Sequence, residues 1–169
     1  MKKEKLFPGF NSYEDVLDID KLNSYISSID NADFNTYRNA PQNIMVSRET
    51  EFYKFIEDSL SPYLTDYFKE HDIFFDDDRG FVLMKYSTNM RLGGHSDDHG
   101  GYSDPKPRMS LVFYINDNYD GGEIKFKNLD ISIKPKKNQL IIFPSSYLFF
   151  HVISKVTDGE RFIITNFYS

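Results

Sequence analysis

His95 and Asp97 stand two positions apart in the stretch Gly93-Gly94-His95-Ser96-Asp97. On an extended segment, residues i and i+2 point to the same face, so an imidazole and a carboxylate would be presented side by side. A second histidine, His151, follows far along the chain. Two imidazole nitrogens and one carboxylate oxygen make a facial set that suits Fe(II) and leaves coordination positions open for chemistry. Arg161 comes ten residues after His151. Its guanidinium is permanently charged and forks onto carboxylates, a contact worth about 1.5–3 kcal/mol. A metal with open positions beside a carboxylate anchor describes a site for a chelating keto-acid. The keto oxygen and one carboxylate would meet the metal, and the distal carboxylate would meet the arginine. Taken singly, either histidine reads as a satisfied or surface residue and Arg161 as a salt-bridge partner; the combination carries the inference.

These residues need strands to hold them, and the sequence from Phe81 onward supplies strand signals. Phe81 to Tyr86 is one apolar run, and Arg91 to His95 leads into the motif. Met109 to Ile115 alternates, with Met109, Leu111, Phe113 and Ile115 on one face and Ser110, Val112 and Tyr114 on the other. Asp120-Gly121-Gly122 marks a turn into Glu123 to Phe126, and Ile131 to Ile133 and Gln139 to Phe143 follow. Phe149 to Val152 and Arg161 to Tyr168 close the set. About eight short strands without a long helix between them indicate an antiparallel sandwich or double-stranded jelly roll.

Residues 1–80 read differently. The turn Phe7-Pro8-Gly9-Phe10 is expected to deliver the chain into a helix capped by Asn11 or Ser12 and carrying Val16, Leu17 and Ile19. Leu22, Tyr25, Ile26 and Ile29 continue at helical spacing. A longer helix runs from a Thr50 cap through Phe52, Phe55, Ile56, Leu60, Tyr63, Leu64, Tyr67 and Phe68, with Pro62 expected to divide or kink it. Ile44 to Val46 is a candidate short strand. The run Asp76-Asp77-Asp78 reads as a solvated loop, and His71 as exposed and inert. The expectation is one domain over residues 1–169: a helical support region at 1–80, and a β core at 81–169 with the helices packed on one sheet. The fold class is therefore mainly β with flanking helices (α+β).

Composition narrows the partners. The net charge of −6 argues against a nucleic-acid backbone. The absence of cysteine excludes disulfides and thiolate metal ligands. Neither a signal-like apolar run after Lys2, Lys3 and Lys5 nor a membrane-length segment is present, so a soluble cytoplasmic protein is expected.

The stretch Tyr86 to Tyr168 resembles the Fe(II)/2-oxoglutarate-dependent dioxygenases, and most closely their prolyl 4-hydroxylase-like branch. The carrying elements are Tyr86, His95-Ser96-Asp97, Arg108 to Asn116, Gly121-Gly122-Glu123-Ile124 and His151-Val152, followed by Val156, Gly159 and Arg161. The resemblance implies a double-stranded β-helix of the jelly-roll, cupin-like kind. It implies Fe(II) ligation by His95, Asp97 and His151, and 2-oxoglutarate anchored by Arg161. Tyr86, Tyr114 and Thr165 match positions whose hydroxyls reach that co-substrate, and Phe143 is expected against the co-substrate or the metal shell. O2 would be the oxidant, with ascorbate as accessory reductant.

The implied reaction is hydroxylation of an unactivated C–H bond with release of succinate and CO2. By family analogy the substrate is a peptidyl prolyl residue; a free amino acid or other small molecule stays open, as does a non-catalytic jelly-roll binding module. Arg161 stands where collagen-type relatives usually carry lysine, and Phe167 where many carry tryptophan. A nucleic-acid demethylase would typically place a second arginine at the Phe167 position. Asp98 and His99 are expected at the mouth, and Asp98–Pro107 and Asn31–Ser47 as substrate-facing walls.

Overall fold

A computed structural model of the chain describes residues 1–30, 33–35, 40–75, 77–99 and 105–169, apart from the His99 side chain. The strands in chain order are β1 (Lys2–Phe7), β2 (Phe10–Glu14), β3 (Gln42–Met45), β4 (Val82–Tyr86), β5 (Leu92–His95), β6 (Met109–Tyr114) and β7 (Asp120–Gly121). They continue with β8 (Ile124–Phe126), β9 (Ile131–Ile133), β10 (Gln139–Pro144), β11 (His151–Ile153), β12 (Val156–Asp158) and β13 (Arg161–Tyr168). Two α-helices, α1 (Ile19–Ser27) and α2 (Glu51–His71), and short 3-10 turns at Asp97–His99 and Tyr147–Phe149 accompany them. A seven-stranded sheet runs β1-β2-β10-β6-β13-β4-β3, and a four-stranded sheet runs β5-β11-β8-β9. Every pairing is antiparallel, so the architecture is the expected double-sheet jelly roll with helices on one side.

Alternation along the central strands divides the molecule into two cores. Leu111 and Phe113 of β6, Leu140 and Ile142 of β10, and Ile164 of β13 face α1 and α2. Val112 and Tyr114, Ile141 and Phe143, and Ile163 face the smaller sheet. The register aligns these sets across strands: Phe113 opposes both Leu140 and Ile164, while Tyr114 opposes Gln139 and Ile163. One face therefore belongs to the helices, and the other encloses a chamber between the sheets.

The first eighty residues are not only helical support, because β1, β2 and β3 all join the large sheet. Asn11 and Ser12, expected as helix caps, lie fully within β2. Both are buried, and each is tied to a side chain outside the strand: Asn11 Nδ2 donates to Glu70, and Gln139 Nε2 donates to Ser12 Oγ. The cap of α1 is instead Asp18, whose carboxylate accepts from the Asp20 and Lys21 amides, so Val16 and Leu17 precede the helix. Thr50 caps α2 as expected, accepting from Tyr53 N at 3.1 Å.

Pro62 does not divide α2, which runs unbroken over 21 residues. The proline is exposed, so the carbonyl it leaves without a helical donor is on the watered side, where solvent can satisfy it. His71 is not exposed: its ring lies 4.6 Å from that of Tyr67, and its Nε2 is buried. Asp78 is likewise no solvated loop residue, since it accepts from Arg48, Asn166 and the Gly80 amide. Asp77 is exposed, and Asp76 lies outside the described residues.

The β1–β2 hairpin is fastened to α2 by charge. Lys3 pairs with Asp66 at 2.7 Å and with Glu70, Lys5 pairs with Glu70 at 3.0 Å, and Tyr13 donates to Asp66 at 3.0 Å. Hydrogen bonds from Lys3, Lys5 and Asn11 hold the Glu70 carboxyl down at about 2, from an ordinary 4.5. A depressed carboxyl pKa adds stability above the unfolded-state value and loses it as pH falls through the folded one. Glu70→Gln is therefore expected to cost about 1 kcal/mol at pH 7, a figure discounted for its partial exposure. The gap to the parent should close between pH 4.5 and about 2. Urea unfolding midpoints of both proteins across that range provide the check; a gap that persisted at pH 2 would contradict the assignment.

Candidate functional site

β5 and β11 pair so that His95 and His151 stand directly opposite each other, with ring centroids 4.4 Å apart. Asp97 is not on an extended segment, as the spacing suggested. The strand ends at His95, and Asp97 opens a single 3-10 turn over residues 97–99. Its carboxylate nevertheless swings to the histidines, with Oδ1 3.3 Å from His95 Nε2 and 3.9 Å from His151 Nε2. One ligating atom from each of the three residues lies within 4.8 Å of the others. Two ligands each about 2.1 Å from one ion are at most roughly 4.2 Å apart. The two aspartate distances already meet that limit, and a slight contraction of the histidines would complete the set.

The surroundings fix which atoms face inward. Each Nδ1 approaches a backbone carbonyl, Gly93 O at 2.8 Å for His95 and Phe149 O at 2.9 Å for His151. A carbonyl only accepts, so each Nδ1 carries the proton and each Nε2 directs its lone pair at the shared point, the arrangement of metal-binding histidines. Phe126 and Phe143 enclose His151 with ring centroids at 5.3 and 5.6 Å. Phe143 thus sits against the triad, as expected.

Charge follows from this packing. Burial alone would raise the Asp97 carboxyl, but hydrogen bonds from His95 and Ser110 and the charge of His151 bring it below the ordinary range. Burial lowers His151 and also opposes charging of His95, yet the hydrogen bond to Asp97 leaves His95 raised. A cation binds these nitrogens only in their unprotonated form, so metal affinity is tied to pH.

Ser110 was not among the expected site residues. It is fully buried on β6, donates to Asp97 Oδ2 at 2.6 Å, and shares a 2.8 Å hydrogen bond with Ser145 Oγ. The sequence signal was its parity with Val112 and Tyr114 on the chamber face. Ser110→Ala is expected to weaken Fe(II) binding about 10- to 100-fold with little loss of fold, because it frees the carboxylate to rotate. Titration of the apoprotein with Fe(II) under nitrogen measures this, and an unchanged affinity would dismiss the role.

A cavity of about 250 Å3 extends from the triad. At about 30 Å3 per liquid water it holds roughly eight, a volume a compact organic acid could take over. Its walls include Tyr86, Tyr114, Arg161 and Thr165, so the expected metal ligands and co-substrate residues border one space. Thr165 shares the chamber face with Arg161 and Ile163, and its hydroxyl makes one weak contact, to Met84 Sδ at 3.8 Å. Asn43 of β3 also lines the cavity, which places part of the Asn31–Ser47 segment at the wall. Residues 31–32, 36–39 and 100–104 lie outside the described residues, as does the His99 side chain. Asp98 continues the turn begun at Asp97, with its amide donating to Ser145 O.

Arg161 is 0% exposed, and none of its three guanidinium nitrogens has a hydrogen-bond partner of normal geometry among the described residues. Its neighbours are tyrosine rings: the guanidinium carbon lies 4.5 Å from the Tyr86 centroid and 5.2 Å from that of Tyr114. The buried Tyr114 hydroxyl is also without a partner. A buried cation with unmet donors at a cavity wall is a receptor for an anion. The residues present thus fit both groups: a nitrogen and oxygen donor set for Fe(II), and a guanidinium for a carboxylate in the same cavity.

Comparison with known proteins agrees with this arrangement. The model of the 2OG-Fe(II) oxygenase superfamily matches residues 81–169. PKHD-type hydroxylases of Prochlorococcus marinus strains AS9601 and MIT 9215 are 35% and 33% identical over 89 residues, which are 50% of this chain and 38% and 39% of theirs. The chain therefore spans less than half the length of these relatives. Among solved structures, a viral collagen prolyl hydroxylase from Paramecium bursaria Chlorella virus-1 superposes with a TM-score of 0.74 at 18% identity, covering 95% of this chain and 94% of that one. A Pseudomonas putida prolyl-4-hydroxylase gives 0.76 at 16% identity, covering 95% and 91%. At these identities the likeness is one of fold.

Proposed function

The chain belongs to the 2OG-Fe(II) oxygenase superfamily, and on that premise we propose that it hydroxylates a C–H bond, that of a peptidyl prolyl residue, at the expense of 2-oxoglutarate and O2. The observation that carries this reading is Arg161, a fully buried guanidinium with no carboxylate partner among the described residues, opening onto the cavity that ends at His95, Asp97 and His151. A structural or non-catalytic metal site gives no reason to bury an unpaired cation beside it.

In this reading His95, Asp97 and His151 hold Fe(II). Once bound, the iron supplies the redox chemistry by which O2 oxidises the substrate while 2-oxoglutarate is decarboxylated to succinate and CO2. The protein's part is placement. Ser110 holds the Asp97 carboxylate in one rotamer, and the two backbone carbonyls hold the imidazoles in one tautomer. Arg161 takes the distal carboxylate, while Tyr86, Tyr114 and Thr165 offer hydroxyls along the co-substrate. Val82, Met84, Val112 and Ile163 make the wall dry, which strengthens every charged contact inside.

Support for prolyl substrates is by likeness: the chain is similar to PKHD-type hydroxylases, and its fold is that of prolyl hydroxylases. The test incubates the protein with Fe(II), ascorbate, 2-oxoglutarate and proline-rich peptides, and follows succinate and peptide mass. Addition of one oxygen to a peptide, matched by succinate, is expected. Succinate with oxygen added only to a free amino acid would move the substrate to small molecules. No succinate with any peptide or amino acid would return the chain to a binding module.

A further inference from the structure

We propose that Tyr119, held against Arg161 by Gly122 and Gly159, is a positioning residue that sets the orientation of the co-substrate anchor. This rests on the reading of Arg161 as the partner of the distal carboxylate of 2-oxoglutarate. A guanidinium has five N–H donors, and a carboxylate gripped in fork geometry takes two. The rest are buried with it and need oxygen acceptors. Tyr86 and Tyr114 stand on the cavity wall and can reach the ligand themselves; Tyr119 is absent from that wall. It is 6% exposed, and its hydroxyl is buried without a hydrogen-bond partner of normal geometry among the described residues. Burial pushes its pKa up, and the charge of nearby Arg161 opposes that rise. A small shift would let its oxygen accept from the N–H groups turned away from the cavity, leaving the opposite pair aimed inward.

The backbone is shaped to bring the two side chains together. A Cβ on Gly122 would lie 2.9 Å from Tyr119 Cε2 and 3.0 Å from Arg161 Cδ, so only a glycine lets them share that space. Gly122 also has φ +66°, a left-handed conformation that favours glycine. A Cβ on Gly159 would lie 3.2 Å from Tyr119 Cβ. Asn116 ties the two segments from the other side, donating to Glu160 O at 2.7 Å and accepting from the Phe162 amide at 2.8 Å. The loop after β6 thus grips the start of β13 on both sides of Arg161. Gly122, read from sequence as part of a turn, thus also borders the Arg161 anchor.

The test measures binding to the anaerobic Fe(II)-loaded protein by calorimetry, with 2-oxoglutarate and with pyruvate. Pyruvate has the same chelating keto-acid end and no distal carboxylate. Tyr119→Phe is expected to raise the Kd for 2-oxoglutarate about tenfold, the loss of one charge-assisted hydrogen bond, and to leave that for pyruvate within about twofold. Gly122→Ala should give the same selective loss through displacement rather than deletion. An unchanged 2-oxoglutarate Kd in Tyr119→Phe, or an equal loss for both acids, would overturn the proposal while leaving the oxygenase reading intact. Failure of the parent protein to bind 2-oxoglutarate at all would overturn that reading, and this one with it.

Discussion

His151→Ala is expected to abolish Fe(II) binding and 2-oxoglutarate turnover together, with a loss in metal affinity beyond the 10- to 100-fold that removing an outer partner costs. The reason lies in what the rest of the site cannot do. His95 and Asp97 are neighbours in sequence, but they supply only one side of the shared point; His151 closes it from the facing strand. The rings packed against His151, Phe126 and Phe143, offer no ligating atom in its place. Truncation between those rings also removes packing, and a large-to-small change in a core costs about 2–5 kcal/mol. His95→Ala gives the cleaner companion, since the side chain of His95 is 33% exposed and that of His151 only 6%. Both variants should lose Fe(II) binding by anaerobic titration and succinate formation in parallel. A folded His151→Ala protein with full activity would refute the ligand assignment.

Arg161→Met is expected to separate function from stability. Deleting one partner of a buried, hydrogen-bonded charge pair costs about 2–5 kcal/mol, so the Kd for 2-oxoglutarate should rise roughly 30- to 1000-fold or more. The fold should not suffer. Among the described residues the guanidinium is buried, with no hydrogen-bond partner of normal geometry and no carboxylate paired to it. The effective penalty for burying an ion is several kcal/mol, only partly offset by the Tyr86 and Tyr114 rings at about 2 kcal/mol. Methionine fills a similar space without that penalty. The melting temperature of the ligand-free variant should therefore equal or exceed that of the parent. With Fe(II) present throughout, adding 2-oxoglutarate should raise the parent's melting temperature and leave the variant's nearly unmoved. A variant destabilised by more than about 2 kcal/mol without ligand would mean that Arg161 holds the fold together in its own right.

The chamber was legible in the sequence because its strands alternate without interruption. Met109 to Tyr114 and Arg161 to Tyr168 show two faces in their side chains, and the structure uses both as read. His95, His151 and Arg161 could be grouped because histidine is scarce in this chain, at four residues, and Asp97 joined them by its spacing from His95. The first hairpin was illegible for the opposite reason. β1 is an edge strand with four of its six residues exposed, so Lys2 to Lys5 carry no apolar face to betray it. In β2, Asn11 and Ser12 look like caps because a sequence cannot reveal that Glu70 and Gln139 will meet their side chains. Ser110 and Tyr119 were missed because a serine or a tyrosine declares nothing until a carboxylate or a guanidinium is placed against it. Pro62 misled because its cost depends on whether the abandoned carbonyl faces water.

The two-faced central strands have a consequence for how this protein can change length. Each carries, in effect, a reading frame of two: odd and even positions serve different compartments. Loss of a single residue between Arg161 and Thr165 would send one flank of β13 out of phase, turning Phe162 and Ile164 toward the chamber and Ile163 toward the helices. The same holds for β6, where Phe113 and Tyr114 would trade places. Insertions and deletions are therefore confined to the turns between strands. New reach toward other substrates must come from those turns, with the central strands β10, β6 and β13 kept at constant length.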